Sequence, residues 1–321
     1  MLTTLKSIAG PWLLVGLCLA ATACGPTTTK DGKALDTPTT GRITIAVDEV
    51  AVPIIRSTVA TFEGVYTTAK VEAKTLPQEV GFQLLLQDSV RMVVGSRKLD
   101  AKERAVFAER NITPHEYEYA LDAVAVIVHP TNADTLLTLD RLRGILAGET
   151  LTWPGRPGLK IVPVLDHGSS ANAMFLEQKL GLIGRLSASV YATGNTEKVL
   201  DYVATNPGAI GFIGVGYVSD LDSPRQRAFR DGIRVASIST AQVAADSNSY
   251  PPYQAYLSLK KYPLARMLYI VSGEARSGLG TGFASWALSE KGQRIVLKAG
   301  LLPATMPVRT VRLNKTNNLV Q

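Results

Sequence analysis

Apolar runs of strand length alternate with helix-length segments along almost the whole chain, and no other feature narrows the fold as far. "RITIAV" (Arg42 to Val47) precedes the helix-like "PIIRSTVATFEGVY". "AKVEAKTL" reads as a second strand, "VGFQLLLQDS" as a helix, and "RMVVGS" (Arg91 to Ser96) as a third apolar run. Asp100 and Glu103 have the spacing of a capping box opening "AKERAVFAERN". Farther on, "DAVAVIVHP" is a strand, "LTLDRLRGILAGE" a short helix, and "LKIVPVL" a strand that runs into another helix start. "TEKVLDYVATNPGAIGFIGVGYV" reads as a capped helix, a turn and a Gly-punctuated buried strand. "ARMLYIVS" is a late strand, and "GFASWALSEKGQRIVLKAG" is one final helix. This order means βα units on a mostly parallel sheet, fold class α/β. Spread over 321 residues, it fits two α/β units better than one.

The first residues break the pattern. "MLTTLKSIAGPWLLVGLCLAATACG" has one charge, Lys6, then an apolar run from Ile8 to Ala21 and small residues ending at Cys24. That is the layout of an export signal. Ala21-Thr22-Ala23-Cys24-Gly25 resembles a bacterial lipobox, with Ala21 where Leu is usual. Residues 1–23 are therefore expected to be a lipoprotein signal peptide and Cys24 the lipidation site. Ordinary secretion with a free thiol is the other reading. Cys18 leaves with the signal, so Cys24 has no partner for a disulfide, and acyl chains on it would anchor the protein stably. Residues 24–41, with six Thr between Gly25 and Gly41, form a flexible tether. The net charge of +7 owes much to the last 24 residues, where Lys298, Arg309, Arg312 and Lys315 meet no acid. A solvated tail accounts for this, and no nucleic-acid partner is expected.

The junction "VLDHGSSANAMFLEQKL" (Val164 to Leu180) concentrates small polar residues where a strand enters a helix. Three readings are open: a simple N-cap, a serine nucleophile beside a histidine, or a seat for a small anion. An oxyanion held away from water needs directed donors, and backbone N–H groups at a helix start supply several. Ser169, Ser170 and Asn172 would add side-chain donors, and Gly168 lets the backbone come close. Arg97, at the end of an apolar run with Ser96, carries a guanidinium fork suited to a bidentate oxyanion contact. Otherwise it is a surface residue opening a helix. Asp48 either caps the helix after the first strand or accepts a proton that the ligand brings. Such an acceptor would favour an anion that still carries a proton at neutral pH over a fully ionised one. Asp166 could play the same part, or orient His167 or Arg97.

The hydrolase reading is the weakest chemically. Gly168-Ser169-Ser170-Ala171-Asn172 nearly fits G-x-S-x-G, but Asn172 replaces the last glycine. His167 lies three residues from Ser170, a spacing that triads rarely use. "PHEYEY" lacks the second histidine of a zinc helix. "SGLGTGF" lacks the third glycine of a dinucleotide fingerprint and the lysine of a P-loop. No catalytic residue, metal or cofactor is expected.

In their order, "GRITIAVDEVAVPIIRSTVATFE", "VRMVVGSRKLDAKE", "DAVAVIVHPTN", "LDRLRGILAGETLTWPG", "HGSSANAMF", "NPGAIGFIGVGYV", "YPLARMLYIVS" and "GFASWALSEKGQRIVLKAGLLPA" resemble PstS-like phosphate-binding proteins of ABC transporters. The likeness is to their divergent lipoprotein branch of the Bacteroidetes type. The resemblance implies a type II periplasmic-binding-protein fold, with two α/β domains closing on an anion. Domain I would hold residues 42–120 and 256–312, domain II residues 121–255, with a tail at 313–321. The family's ligand loops fall on Asp48, Glu49 and Val50, on Ser96 and Arg97, and on Gly168, Ser169, Ser170 and Ala171. Many relatives read Arg-x-Asp-Gly-Ser-Gly-Thr at the helix start. Here Leu165 stands for the arginine and Ala171 for the threonine. The implied function is capture of inorganic phosphate or a similar oxyanion for an ABC-type permease, by a monomer lipid-anchored in the cell envelope and facing the periplasm. A sensor or accessory module of the same fold is the alternative.

Overall fold

The computed structural model describes residues 35–156, 158–220 and 222–306. The expected signal peptide (residues 1–23), the expected lipidation site Cys24, most of the expected tether and the 313–321 tail lie outside them. No helix among the described residues is long and apolar enough to cross a membrane.

The chain first lays down β1 (Gly41–Val47), α1 (Val52–Val65), β2 (Ala69–Thr75), α2 (Gln78–Leu86), β3 (Met92–Gly95) and α3 (Ala101–Glu109). β1 pairs in parallel with both β2 and β3. Pro53 is tolerated at the start of α1 because the first helical N–H groups have no intrahelical partner. α3 opens with a full capping box: Asp100 accepts from the Glu103 N–H and Glu103 accepts from the Asp100 N–H, both at 2.8 Å.

Then β4 (His115–Val128) runs for 14 residues and links two halves of one sheet. It is followed by β5 (Leu136–Thr138), α4 (Leu139–Ala147), β6 (Val162–Leu165), α5 (Ala171–Lys179), β7 (Tyr191–Ala192), α6 (Thr196–Thr205) and β8 (Ala209–Gly214). The remainder is α7 (Pro224–Asp231), β9 (Arg234–Val235), β10 (Ser237–Ser239), α8 (Gln254–Ser258), β11 (Ala265–Ser272), α9 (Leu279–Leu288), α10 (Glu290–Lys298) and β12 (Leu302–Pro303). The main sheet has the order β2-β1-β3-β11-β4-β8-β6-β7, and β5 and β10 form a small separate pair.

Two expectations change. The sheet is parallel at its flanks, but its centre is antiparallel: β11 runs against β3 and β4, and β4 against β8. Residues 115–123 of β4 pair with β11 and residues 124–128 with β8. One strand therefore serves both halves, and it starts well before the expected Asp122. The single final helix is in fact two. Ser289 adopts extended backbone (φ −66, ψ 165), and its hydroxyl donates to the Trp286 carbonyl, which ends α9 before α10 begins.

Helices cover both faces of the sheet, so its central strands are buried throughout: every residue of β8 and the stretch Ala123–Val128 of β4 is shielded from solvent. Gly211 in β8 is needed for close approach, since a Cβ there would meet Val203 and Val199 of α6 and Ile127 of β4 at 2.8–2.9 Å.

Candidate functional site

Three turns meet at the carboxyl ends of the strands: the one after β1, the one before α2 and the one before α5. Asp48 follows β1 directly and is fully buried. Its Oδ1 accepts from the Val50 N–H at 3.1 Å, and its Oδ2 accepts from the Gln78 N–H at 2.9 Å. One carboxylate thus caps the short turn Glu49–Ala51 and fastens the start of α2. Burial pushes the Asp48 carboxyl up to about 6, with the Asp166 carboxylate adding to the rise. The Val50 and Gln78 N–H groups and the Arg266 guanidinium oppose it.

Facing it, Ser170 caps α5. Its hydroxyl accepts from the Ala173 N–H at 3.2 Å and donates to Asp166 at 2.6 Å. Asn172 donates its amide N–H to the other Asp166 oxygen at 3.2 Å. Burial raises the Asp166 carboxyl as well, against the Ser170 hydrogen bond and the Arg266 charge. Ser170 bonds to Asp166 rather than to His167, and Asp166 spends its oxygens on Ser170 and Asn172. Ser169 touches His167 Nδ1 at 3.0 Å in an exposed turn.

Asp48, Glu49, Asp166, His167 and Ser170, with Thr75–Pro77 and Gly194, enclose a cavity of about 130 Å³. That is far below the ~300–1,000 Å³ of a drug-sized pocket and suits a small ion. A wider cavity of about 350 Å³, between Val218, Tyr253 and Gly300, has Arg230 as its one charged wall residue and touches none of the candidate residues.

The sequence candidates divide. Asp48, Glu49, Asp166 and Ser170 come together, and Gly168 and Ser169 lie exposed on the adjoining turn. Val50 is buried and its N–H is spent on Asp48. Glu49 turns away to the other half of the sheet, where its Oε1 accepts from the Thr196 N–H and the Tyr217 hydroxyl.

Ser96 and Arg97 do not line the small cavity; they border a neighbouring one of about 290 Å³ with Gln78, Met174 and Phe175. Both the N–H and the hydroxyl of Ser96 donate to Gln78 Oε1. Arg97 is committed on all sides. Its Nε and Nη2 donate to Glu79 at 2.8 and 2.7 Å, its Nη1 and Nη2 donate to Glu103 at 2.8 Å, and its plane lies 3.8 Å over Phe82. Although burial works against its charge, Glu103 and Glu79 hold the guanidinium above its usual range. The fork expected to meet a ligand is instead engaged by these two acids.

The cation behind the small cavity is Arg266, which the residue reading missed. It projects from β11 and donates through Nε and Nη2 to Asp122 at 2.9 and 2.8 Å, through Nη2 to Asn172 Oδ1 at 2.8 Å, and through Nη1 to the Ala171 carbonyl at 3.3 Å. Its signal was present: Arg266 in "LARMLYIV" and Asp122 in "LDAVAVIV" are single opposite charges inside apolar runs. Among the described residues no group of His, Cys, Asp and Glu is arranged to hold a metal.

The family described as the PBP superfamily domain matches residues 32–291. The phosphate-binding protein PstS of Staphylococcus aureus (strain USA300) is 24% identical over 238 residues, covering 71% of this chain and 68% of that protein. Two solved structures superpose along their full lengths. A Clostridium perfringens protein assigned as a phosphate ABC transporter substrate-binding protein, with phosphate bound, has TM-score 0.70 at 20% identity over 82% of this chain. An ABC-type phosphate transport receptor from Vibrio cholerae has TM-score 0.63 at 21% identity over 83% of this chain. The architecture is that of the type II periplasmic-binding proteins.

Proposed function

The chain belongs to the PBP superfamily, and from that premise we propose that it captures phosphate or a closely related oxyanion between the two halves of its sheet and hands it to an ABC-type permease. The observation that carries this reading is the cavity of about 130 Å³ walled jointly by the turn after β1 and the start of α5. The first turn of α5 offers N–H groups with no intrahelical partner and the positive end of the helix dipole. Ser169 and Gly168 lie beside it, and Arg266 adds a fixed charge behind Asn172.

Asp48 and Asp166 make the cavity acid-rich. That suits a ligand carrying a proton, which a carboxylate can accept, and disfavours a fully ionised sulfate. The reading needs no chemical step, and the Ser170 to Asp166 bond supports it against hydrolysis.

In this reading the two lobes correspond to residues 42–120 with 256–312 and to residues 121–255. The strand β4 joins them, and hinge motion opens the cleft. The protein works as a monomer at the periplasmic face of the envelope, held by a lipid on Cys24. Calorimetric titration with phosphate and with sulfate is the direct test. Phosphate should bind, and sulfate should bind at least tenfold more weakly. Equal affinity for both, or none for phosphate, would refute the assignment.

A further inference from the structure

We propose that Glu49 and Tyr217 form a clasp between the two halves of the sheet, with the N-terminus of α6 as its seat, and that this clasp holds the cleft shut and slows the ligand's escape. Glu49 belongs to the turn after β1, on the half built from β1, β2, β3 and β11. Its two partners belong to the other half: Thr196 begins α6, which packs on β8 and β6, and Tyr217 lies in the turn Val215–Tyr217 that follows β8.

The side chain of Glu49 crosses between them. Its Oε1 accepts from the Thr196 N–H at 3.1 Å and from the Tyr217 hydroxyl at 2.9 Å, and that hydroxyl also lies 3.1 Å from the Glu49 carbonyl. The local sequence leaves the seat open for it. Asn195 caps α6 by accepting from the Lys198 N–H, so the Thr196 N–H points out of the helix without an internal partner. A carboxylate there also meets the positive end of the helix dipole. Tyr217 is buried; burial, and then the Glu49 carboxylate, push its phenol up, so it stays a donor.

Glu49 lines the small cavity but directs its charge across the cleft rather than into it. The anion that one half supplies to the helix start of the other is therefore part of the protein. The ligand is left with the start of α5. Glu49 and Tyr217 are positioning residues that act on the cleft and not on the ligand. Their effect on ligand retention rests on the function proposed above, whereas the clasp itself does not.

The test uses the full chain as Glu49→Ala, Tyr217→Phe and the double variant. Small-angle scattering is measured with and without phosphate, and stopped-flow release of phosphate is followed alongside. Tyr217→Phe keeps the ring that fills the buried site, so it carries the test if Glu49→Ala folds poorly. The radius of gyration of each ligand-free variant should exceed that of the wild type and return to it with phosphate. The phosphate off-rate should rise about 10- to 100-fold, the change expected for one charge-assisted hydrogen bond. Ligand-free Tyr217→Phe and double variants with the wild-type radius would overturn the clasp, even where phosphate binds. Expansion of the variants in a protein that does not bind phosphate would leave the clasp standing and remove the ligand reading instead.

Discussion

Arg266 and Asp122 face each other across the β11–β4 pair, directly in register, with both side chains almost wholly removed from solvent and two guanidinium nitrogens on one carboxylate oxygen at 2.8 and 2.9 Å. Buried charge is tolerable only where it is compensated, and burial still pushes the Asp122 carboxyl up against the pull of Arg266. Removing one partner leaves the other stranded. Arg266→Ala should cost about 3–5 kcal/mol in urea unfolding, and it also takes donors from Asn172 and Ala171. Pairing Arg266→Met with Asp122→Leu should lose less than the single variant. A double variant as unstable as Arg266→Ala would show that the charge pair is not what matters there.

That relationship also marks the limit of what the sequence discloses. Features set by neighbours in the chain were legible: the βα alternation, the Asp100–Glu103 capping box, the Ser170 cap before α5 and the capping role open to Asp48. What stayed hidden depends on which distant segments fold together. Arg266 and Asp122 are 144 positions apart and Glu49 and Tyr217 are 168. Periodicity carries no information on such pairs. Arg97 misled for the same reason. A strand-end arginine looks free until the fold brings Glu79 alongside it, while Glu103, six residues on, had already been given to a capping box.

Arg97 and Ser170 should therefore behave oppositely. Arg97→Ala breaks a partly exposed cluster with Glu79 and Glu103, which should cost about 1 kcal/mol of stability, as partly exposed pairs do. Phosphate affinity should stay within about threefold of the wild type. Ser170→Ala removes the α5 cap and leaves Asp166 with only the Asn172 side-chain hydrogen bond, and it should weaken phosphate binding about 10- to 100-fold, on the scale of one charge-assisted bond. Calorimetric titration of the two variants decides the matter. A large affinity loss in Arg97→Ala alone would return the ligand to the Ser96–Arg97 cavity.

Gly211 sets how closely α6 lies on the sheet. Its added Cβ would press on Val203, Val199 and Ile127, β-branched side chains with little rotamer freedom. Gly211→Ala should cost about 1–3 kcal/mol as an overpacked site, read as a lower urea midpoint with unchanged m-value. Because α6 also seats Glu49, the same variant should speed phosphate release. A variant with wild-type stability would mean that α6 has room to move outward.

The pH dependence of stability follows from Asp48. Its carboxyl sits near 3.8 when unfolded and rises to about 6 in the fold. Between those values the folded chain binds more protons than the unfolded chain, so stability falls as pH rises through the window and levels off above it. A shift from 3.8 to about 6 corresponds to roughly 3 kcal/mol at about 1.4 kcal/mol per unit. Burial raises Asp166 and Asp122 as well, so their contributions have the same sign. Asp48→Asn cannot ionise and should flatten the Asp48 part of the slope, while its amide oxygen still accepts one of the two N–H bonds from Val50 and Gln78. Urea unfolding of both proteins from pH 4 to pH 8 checks this. Parallel profiles for the variant and the wild type would mean that Asp48 ionises at the same pH folded and unfolded.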